Sequence, residues 1–201
     1  MQSMMLKLMR VGLMAALVFA VTLLALPRLS QAFTPPVVQK PAVLPPPGVR
    51  HLPQVEDLVF EMTNRARRAK GLPPLVKDEE LTQVARAYSD DMLVRRFFDH
   101  TTPDGISFDE RISGRYSHRV ITLGENIWTA LGYNPANIHR VAQEIVDDWM
   151  SSPGHRANIL DPDFTHLGVG VSARHRTVLA TQEFVGRFKA FSFRDLITEA
   201  Q

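Results

Sequence analysis

The sequence predicts an α+β domain with an antiparallel sheet, and three patterns lead there. Helical apolar spacing fills the first part of the folded region, from Gln54 to about Ser151. Strand-like alternation fills the last part: Leu167, Val169 and Val171 interleave with Gly168 and Gly170, and a second run from Val178 to Val185 follows a turn at residues 174–177. Helices gathered first and hairpin strands last is the order of an α+β chain.

The elements follow in order. Lys7 and Arg10 precede an apolar run from Val11 to Leu26, and Ser30-Gln31-Ala32 offers small residues at a cleavage site. Residues 1–32 therefore read as a secretory signal peptide, and localisation as secreted, periplasmic or cell-envelope. The competing reading is an uncleaved anchor, in which case this segment is the expected contact with a membrane. Residues 33–53 carry seven prolines, among them Pro45, Pro46 and Pro47, and read as a semi-rigid linker. The domain is expected over residues 54–195, with a tail at 196–201.

Val55, Leu58, Val59, Met62 and Ala66 give a first helix its apolar face, closed by Gly71 and Pro73. The basic run Arg65–Lys70 at its end reads as a solvated face. Asp78 caps a second helix whose stripe is Leu81, Val84, Ala85, Tyr88 and Met92, running to about Phe98. Thr102-Pro103-Asp104-Gly105 is a tight turn. Ser107 to Ile112 suits a short helix, a strand is expected around Ile121 to Ile127, and Asn137 to Ser151 is another helix. Ser152 then caps a short helix that Pro153 starts and Asp161-Pro162 stops. The bare Gly168/Gly170 face implies that a helix or a bound group packs very close.

Composition excludes some functions. The chain has 23 basic and 21 acidic residues, a formal charge of +2. Removing the three basic residues of the leader leaves 20 against 21 and moves the balance to −1, so no domain-wide field favours nucleic acid or an anionic membrane. Cysteine is absent, so an exported domain must be held by its core without disulfides.

The residues that can carry chemistry are His100, Glu125 and His155. His100 follows two phenylalanines and precedes the tight turn; by itself it also suits a helix C-terminus. His155 lies in the first turn of a short helix; by itself it also reads as a core histidine bonded to backbone. Glu125, between Gly124 and Asn126 in an apolar run, needs partners if buried. Two imidazoles and one carboxylate can hold a divalent metal such as Zn²⁺ or share protons without one.

The phrases F-x-H-x-x-P-D-G, G-E-N-I, W-M-x-S-P-G-H-R-x-N-I-L, G-V-G-V and T-Q-x-F occur in this order between Gln54 and Gly186. Together they resemble the bacterial branch of the CAP superfamily: cysteine-rich secretory, antigen 5 and pathogenesis-related proteins, also called SCP-like extracellular proteins. The resemblance implies an α-β-α sandwich around an antiparallel sheet, and a cleft lined by two histidines and two acids. His100 and His155 match the histidines and Glu125 the first acid. The position of the second acid, three residues after Trp149, holds Ser152. Asp148, one turn earlier, is the expected substitute, and His166 is expected near the rim but at the surface.

The expected function is a secreted binding module for a small ligand or lipid, with His100, Glu125 and His155 as a divalent-metal set. The alternatives are a metal- or Glu125-dependent hydrolase, with the same three residues catalytic, and a structural envelope protein. No organic cofactor is implied.

Overall fold

Local capping fixes where the helices begin. The computed structural model describes residues 44–132, 134 and 136–187. The leader, the first part of the Pro-rich stretch and the tail from residue 188 lie outside the described residues. In chain order the elements are β1 (Arg50–His51), α1 (Pro53–Arg68), β2 (Val76–Lys77), α2 (Glu79–Arg95), α3 (Phe108–Ser113), β3 (Val120–Ala130), α4 (Ile138–Ser151), α5 (Pro153–Ile159), β4 (His166–Arg174) and β5 (Thr177–Arg187). Asp78 caps α2 by accepting from the Leu81 N–H at 3.0 Å. Glu110 in the first turn of α3 accepts the Ser107 N–H at 2.9 Å. Asn137 caps α4 through the Arg140 N–H at 3.3 Å. Ser152 stands at the N-cap of α5, but its side chain makes no capping bond, contrary to the expectation from sequence.

The sheet runs β1-β4-β5-β3, all antiparallel, with β2 added in parallel against β4. Arg50 and His51, in the stretch expected to be a linker, are thus part of the sheet, paired with Ala173 and Ser172. β3 is an edge strand.

Alternation along the strands divides the core in two. Leu167, Val169 and Val171 of β4, with Val178, Ala180 and Phe184 of β5 and Trp128 of β3, pack against α1 and α4. The other face meets α2: Ile127 and Leu179 with Tyr88, Met92 and Leu93, and Val185 with Leu81 and Val84. Helices on both faces of the sheet make the α-β-α sandwich. Among the described residues, these cores run from Val49 to Val185.

The bare glycine face is occupied by α2 itself. A Cβ on Gly168 would stand 2.2 Å from the Leu81 carbonyl carbon, and one on Gly170 would stand 2.2 Å from the Arg86 nitrogen. Backbone therefore lies directly on backbone, and Ser89 reinforces the contact by donating to the Gly170 carbonyl at 3.2 Å. Buried Glu56 of α1 joins both layers, accepting from Arg86 Nε of α2 at 2.9 Å and from the Val171 N–H of β4 at 3.0 Å.

Arg65, Arg68 and Lys70 of the basic run are exposed, as expected, and Arg67 alone departs from the solvated face. Arg67 is 1% exposed, and its guanidinium donates to the carbonyls of Pro73, Ile159 and Asp161 at 2.8–2.9 Å. It clamps the loop after α5, because carbonyls that leave a helix end need donors.

Gly168→Ala is expected to lose at least about 3 kcal/mol in urea unfolding, since backbone cannot retreat from an added methyl. Gly154→Ala, with nothing within 4 Å of the added carbon, should stay within about 1 kcal/mol of the parent.

Candidate functional site

Glu125 stands on the α2 face of edge strand β3, with its side chain 1% exposed. Burial of a carboxylate requires partners, and both oxygens have one. Oε1 meets His100 Nδ1 at 2.7 Å. Oε2 accepts a short hydrogen bond from Arg111 Nη2 of α3. Arg111 also donates to the His100 carbonyl at 2.9 Å and lies over the Tyr88 ring, 3.2 Å from its centroid. Tyr88 in turn donates its hydroxyl to the Asp99 carbonyl. The loop that carries His100 is thus tied to α2, to α3 and to β3 at once. Beside Arg111 opens a hollow of about 280 Å³ bounded by Tyr88, Thr102 and Ile106.

A second acid stands next to the first. Glu183 of β5 is the cross-strand neighbour of Glu125 and is 0% exposed. Neither of its oxygens accepts a hydrogen bond. Burial, and then the adjacent Glu125 carboxylate, push its carboxyl well above the ordinary 4.5. Burial thus favours the protonated form of Glu183 beside the Glu125 carboxyl.

His155 lies in the opposite layer, and its backbone is tied to β3. Asn126, on the far face of β3, donates to the His155 carbonyl at 3.2 Å. Asn158 donates to the Glu125 carbonyl at 3.1 Å and to Asn126 Oδ1 at 2.9 Å. Gln182 extends this network, accepting from Asn126 at 3.1 Å and donating to Thr63 at 2.8 Å. Gly124 admits the same packing: a Cβ there would lie 2.7 Å from the Phe164 ring. The network seats α5 against the edge of the sheet, on the side where His100 lies.

The two histidines differ electrostatically. The hydrogen bond to Glu125 raises the His100 imidazole above its ordinary value. Burial, then the nearby His100, lower that of His155. The His155 ring makes no hydrogen bond among the described residues. His100 is half exposed, at 49% of its side chain. The pair thus offers solvent one histidine that favours its charged form and one that favours its neutral form.

Two sequence expectations need correction. Asp148 does not reach the cleft, because its Oδ2 accepts the Trp128 indole N–H at 2.7 Å on the α4 face of the sheet. His166 belongs to another cluster, held by Thr165 at 2.8 Å and Arg187 at 3.1 Å. Arg111 and Glu183 were not singled out from the sequence. Arg111 gave no local signal. Glu183 gave one, an acid on the same strand face as Thr181, without a stated use.

Comparison with known proteins accords with this arrangement. Residues 60–184 match the family model described as CAP, the cysteine-rich secretory protein family. The chain belongs to this family. An uncharacterized protein of Bacillus subtilis, YkwD, is 42% identical over 133 residues, which is 66% of this chain and 47% of that one. The chain thus spans about half the length of this curated relative. An extracellular SCP-domain protein of Bacillus anthracis has a solved structure that is 30% identical, with a TM-score of 0.56, covering 66% of this chain and 40% of that one. An outer surface protein of Borrelia burgdorferi shares the fold at 19% identity and a TM-score of 0.59, covering 69% and 98%. Ser152 stands where the resemblance implies a second acid, and Glu183 of β5 is the carboxyl beside Glu125.

Two outcomes follow from the buried carboxyls. Glu125→Ala leaves Arg111, only 10% exposed, without its acid, and should cost roughly 3–5 kcal/mol in urea unfolding. Glu183 has a folded value above its unfolded one, so the folded state holds the extra proton between the two. Its contribution is fully present below 4.5 and is lost as pH rises toward the folded value. The steepest loss is about 1.4 kcal/mol per pH unit. Glu183→Gln keeps the shape and cannot ionise, so its stability should lack this decline; identical pH–stability curves for parent and variant contradict the assignment.

Proposed function

We propose that this CAP domain is an exported binding module whose ligand site is the His100–Glu125–His155 cleft. The observation that carries the reading is the saturation of Glu125. A general base must present a free oxygen to water. Glu125 has both oxygens engaged, by His100 and Arg111, and its side chain is sealed from solvent. It therefore serves as an orienting group, and the two imidazoles are what a ligand meets. Export is supported by the leader pattern, and by relatives described as extracellular or as an outer surface protein. Among the described residues no helix is long and apolar enough to cross a membrane.

The donor set fits a divalent metal in one way. Among the described residues no three His, Cys, Asp or Glu side chains stand together as a metal-holding group. Glu125 is committed to Arg111, which leaves the two histidines as ligands. His100 turns Nδ1 to Glu125, so its Nε2 is the nitrogen left to ligate, and a carboxylate behind a ligating imidazole fixes its tautomer and strengthens it as a donor. The depressed value of His155 keeps that ring in the neutral form a metal requires. A bound ion would supply a cationic centre with open positions for an anionic ligand.

Thermal denaturation with added Zn²⁺ tests this. The parent should gain stability, about 2.7 kcal/mol when free metal is a hundred times its Kd. His100→Ala and His155→Ala should show no gain, and Glu125→Gln a reduced one. Turnover of a peptide or ester library by the parent that disappears in Glu125→Gln would overturn the binding reading in favour of hydrolysis.

A further inference from the structure

The end of the domain where α2 stops and β4 turns into β5 carries features that the cleft does not use. A hollow of about 400 Å³ opens there, floored by Met92, Leu93, Phe97 and Leu179. At its lip stand Phe98, 49% exposed, and Leu131, 82% exposed. Two large apolar side chains held in water at one opening cost free energy unless something covers them.

The rest of the lip is cationic. Arg96, Arg174 and His175 line the same hollow, and no acidic side chain among the described residues does. Among the described residues neither Arg96 nor Arg174 has an ion-pair partner, in contrast to neighbouring Arg95, which meets Asp104 at 2.6 Å. Arg174 Nε is buried without a hydrogen-bond acceptor. An orphaned buried donor beside unpaired guanidiniums leaves a demand for anionic oxygens.

Backbone geometry adds a third observation. Arg96 and His175 are the two non-glycine residues with positive φ among the described residues, at +59° and +54°, and both line this hollow. Arg96 occupies the left-handed position that ends α2, where glycine is the unstrained choice. Retaining a long cation there, at a conformational cost, suits a side chain needed at that spot.

The first described residues pack at the same end, and the apolar and cationic make-up of the lip points to its occupant. Val49 packs with Met92, Leu93 and Leu179 in the floor of this end, and Gly48 lies beside Arg174 Nε, 3.9 Å from where its Cβ would be. The described part of the chain thus begins beside this hollow. We propose that this end is a docking surface for an anionic lipid bilayer, with Phe98 and Leu131 entering the interface and Arg96 and Arg174 taking lipid phosphates. Aromatic and aliphatic side chains inserted beside basic ones are the usual composition of such a surface. The near-neutral charge of the whole domain conceals it, because the cations are local. The inference is independent of the His100–Glu125–His155 cleft and survives if that reading fails.

Flotation with vesicles tests it, using the chain from Phe33 onward, which keeps every core residue among those described and begins after the expected leader. Binding is expected to equimolar phosphatidylglycerol and phosphatidylcholine and not to phosphatidylcholine alone, and high salt should weaken it. Leu131→Ser should reduce binding at least severalfold, and Arg174→Gln by about fivefold. Arg96→Gly is the decisive variant: it relieves the left-handed strain, so its Tm should rise while vesicle affinity falls by about fivefold. Equal binding to both vesicle types, no binding, or variants that bind like the parent would each overturn the proposal. So would saturable binding of monomeric dodecanoate without any binding to vesicles, which would make the hollow a pocket for a free ligand.

Discussion

The seating of α2 on Gly168 and Gly170 is the contact on which the site depends. With no side chains between them, helix and strand backbones touch, and the helix lies low enough to cover the neighbouring strand positions. Glu183 pairs with Gly168 on one side and Glu125 on the other, so the same row that admits the helix carries both carboxyls into the dark. Tyr88, on that helix, holds the Asp99 carbonyl and so delivers His100 to Glu125. A helix raised by one methyl group would lose the buried row, the tether and the His–Glu contact together.

Burial then decides the division of charge among the polar groups. Two carboxyls side by side in a low-dielectric site cannot both be ionised cheaply. Glu125 is paired with Arg111 and His100, and burial favours the protonated form of Glu183. The outcome is a locked anion, a guanidinium against an aromatic face, and a histidine aimed outward. Such a cluster orients groups for recognition more readily than it abstracts protons, since its one anion is already saturated.

The cleft and the hollow therefore present different chemistry. The cleft offers an imidazole backed by a fixed carboxylate. The hollow offers exposed apolar groups beside arginines without an ion-pair partner among the described residues. A domain whose total charge is near neutral can carry both, because screening limits each field to about 10 Å.

Much of this was legible in the residues. The helix stripes, the Asp78 cap, the turn at Thr102–Gly105 and the close approach at Gly168/Gly170 follow from periodicity and from the steric needs of glycine, which are local. The choice of His100, Glu125 and His155 rested on the phrases that resemble the family. What sequence spacing misjudged depended on neighbours distant in the chain. Arg67 went inside because loop carbonyls from Pro73 to Asp161 needed donors. Arg50 and His51 became a strand because β4 had a free edge. Asp148 turned away because an indole N–H lay nearer. Arg111 and Glu183 entered the site only through packing and strand register. The sequence alone determined which groups exist and which backbone shapes they favour. Tertiary structure decided their partners, because the cost of burying a charge depends on what stands beside it and not on its place in the chain.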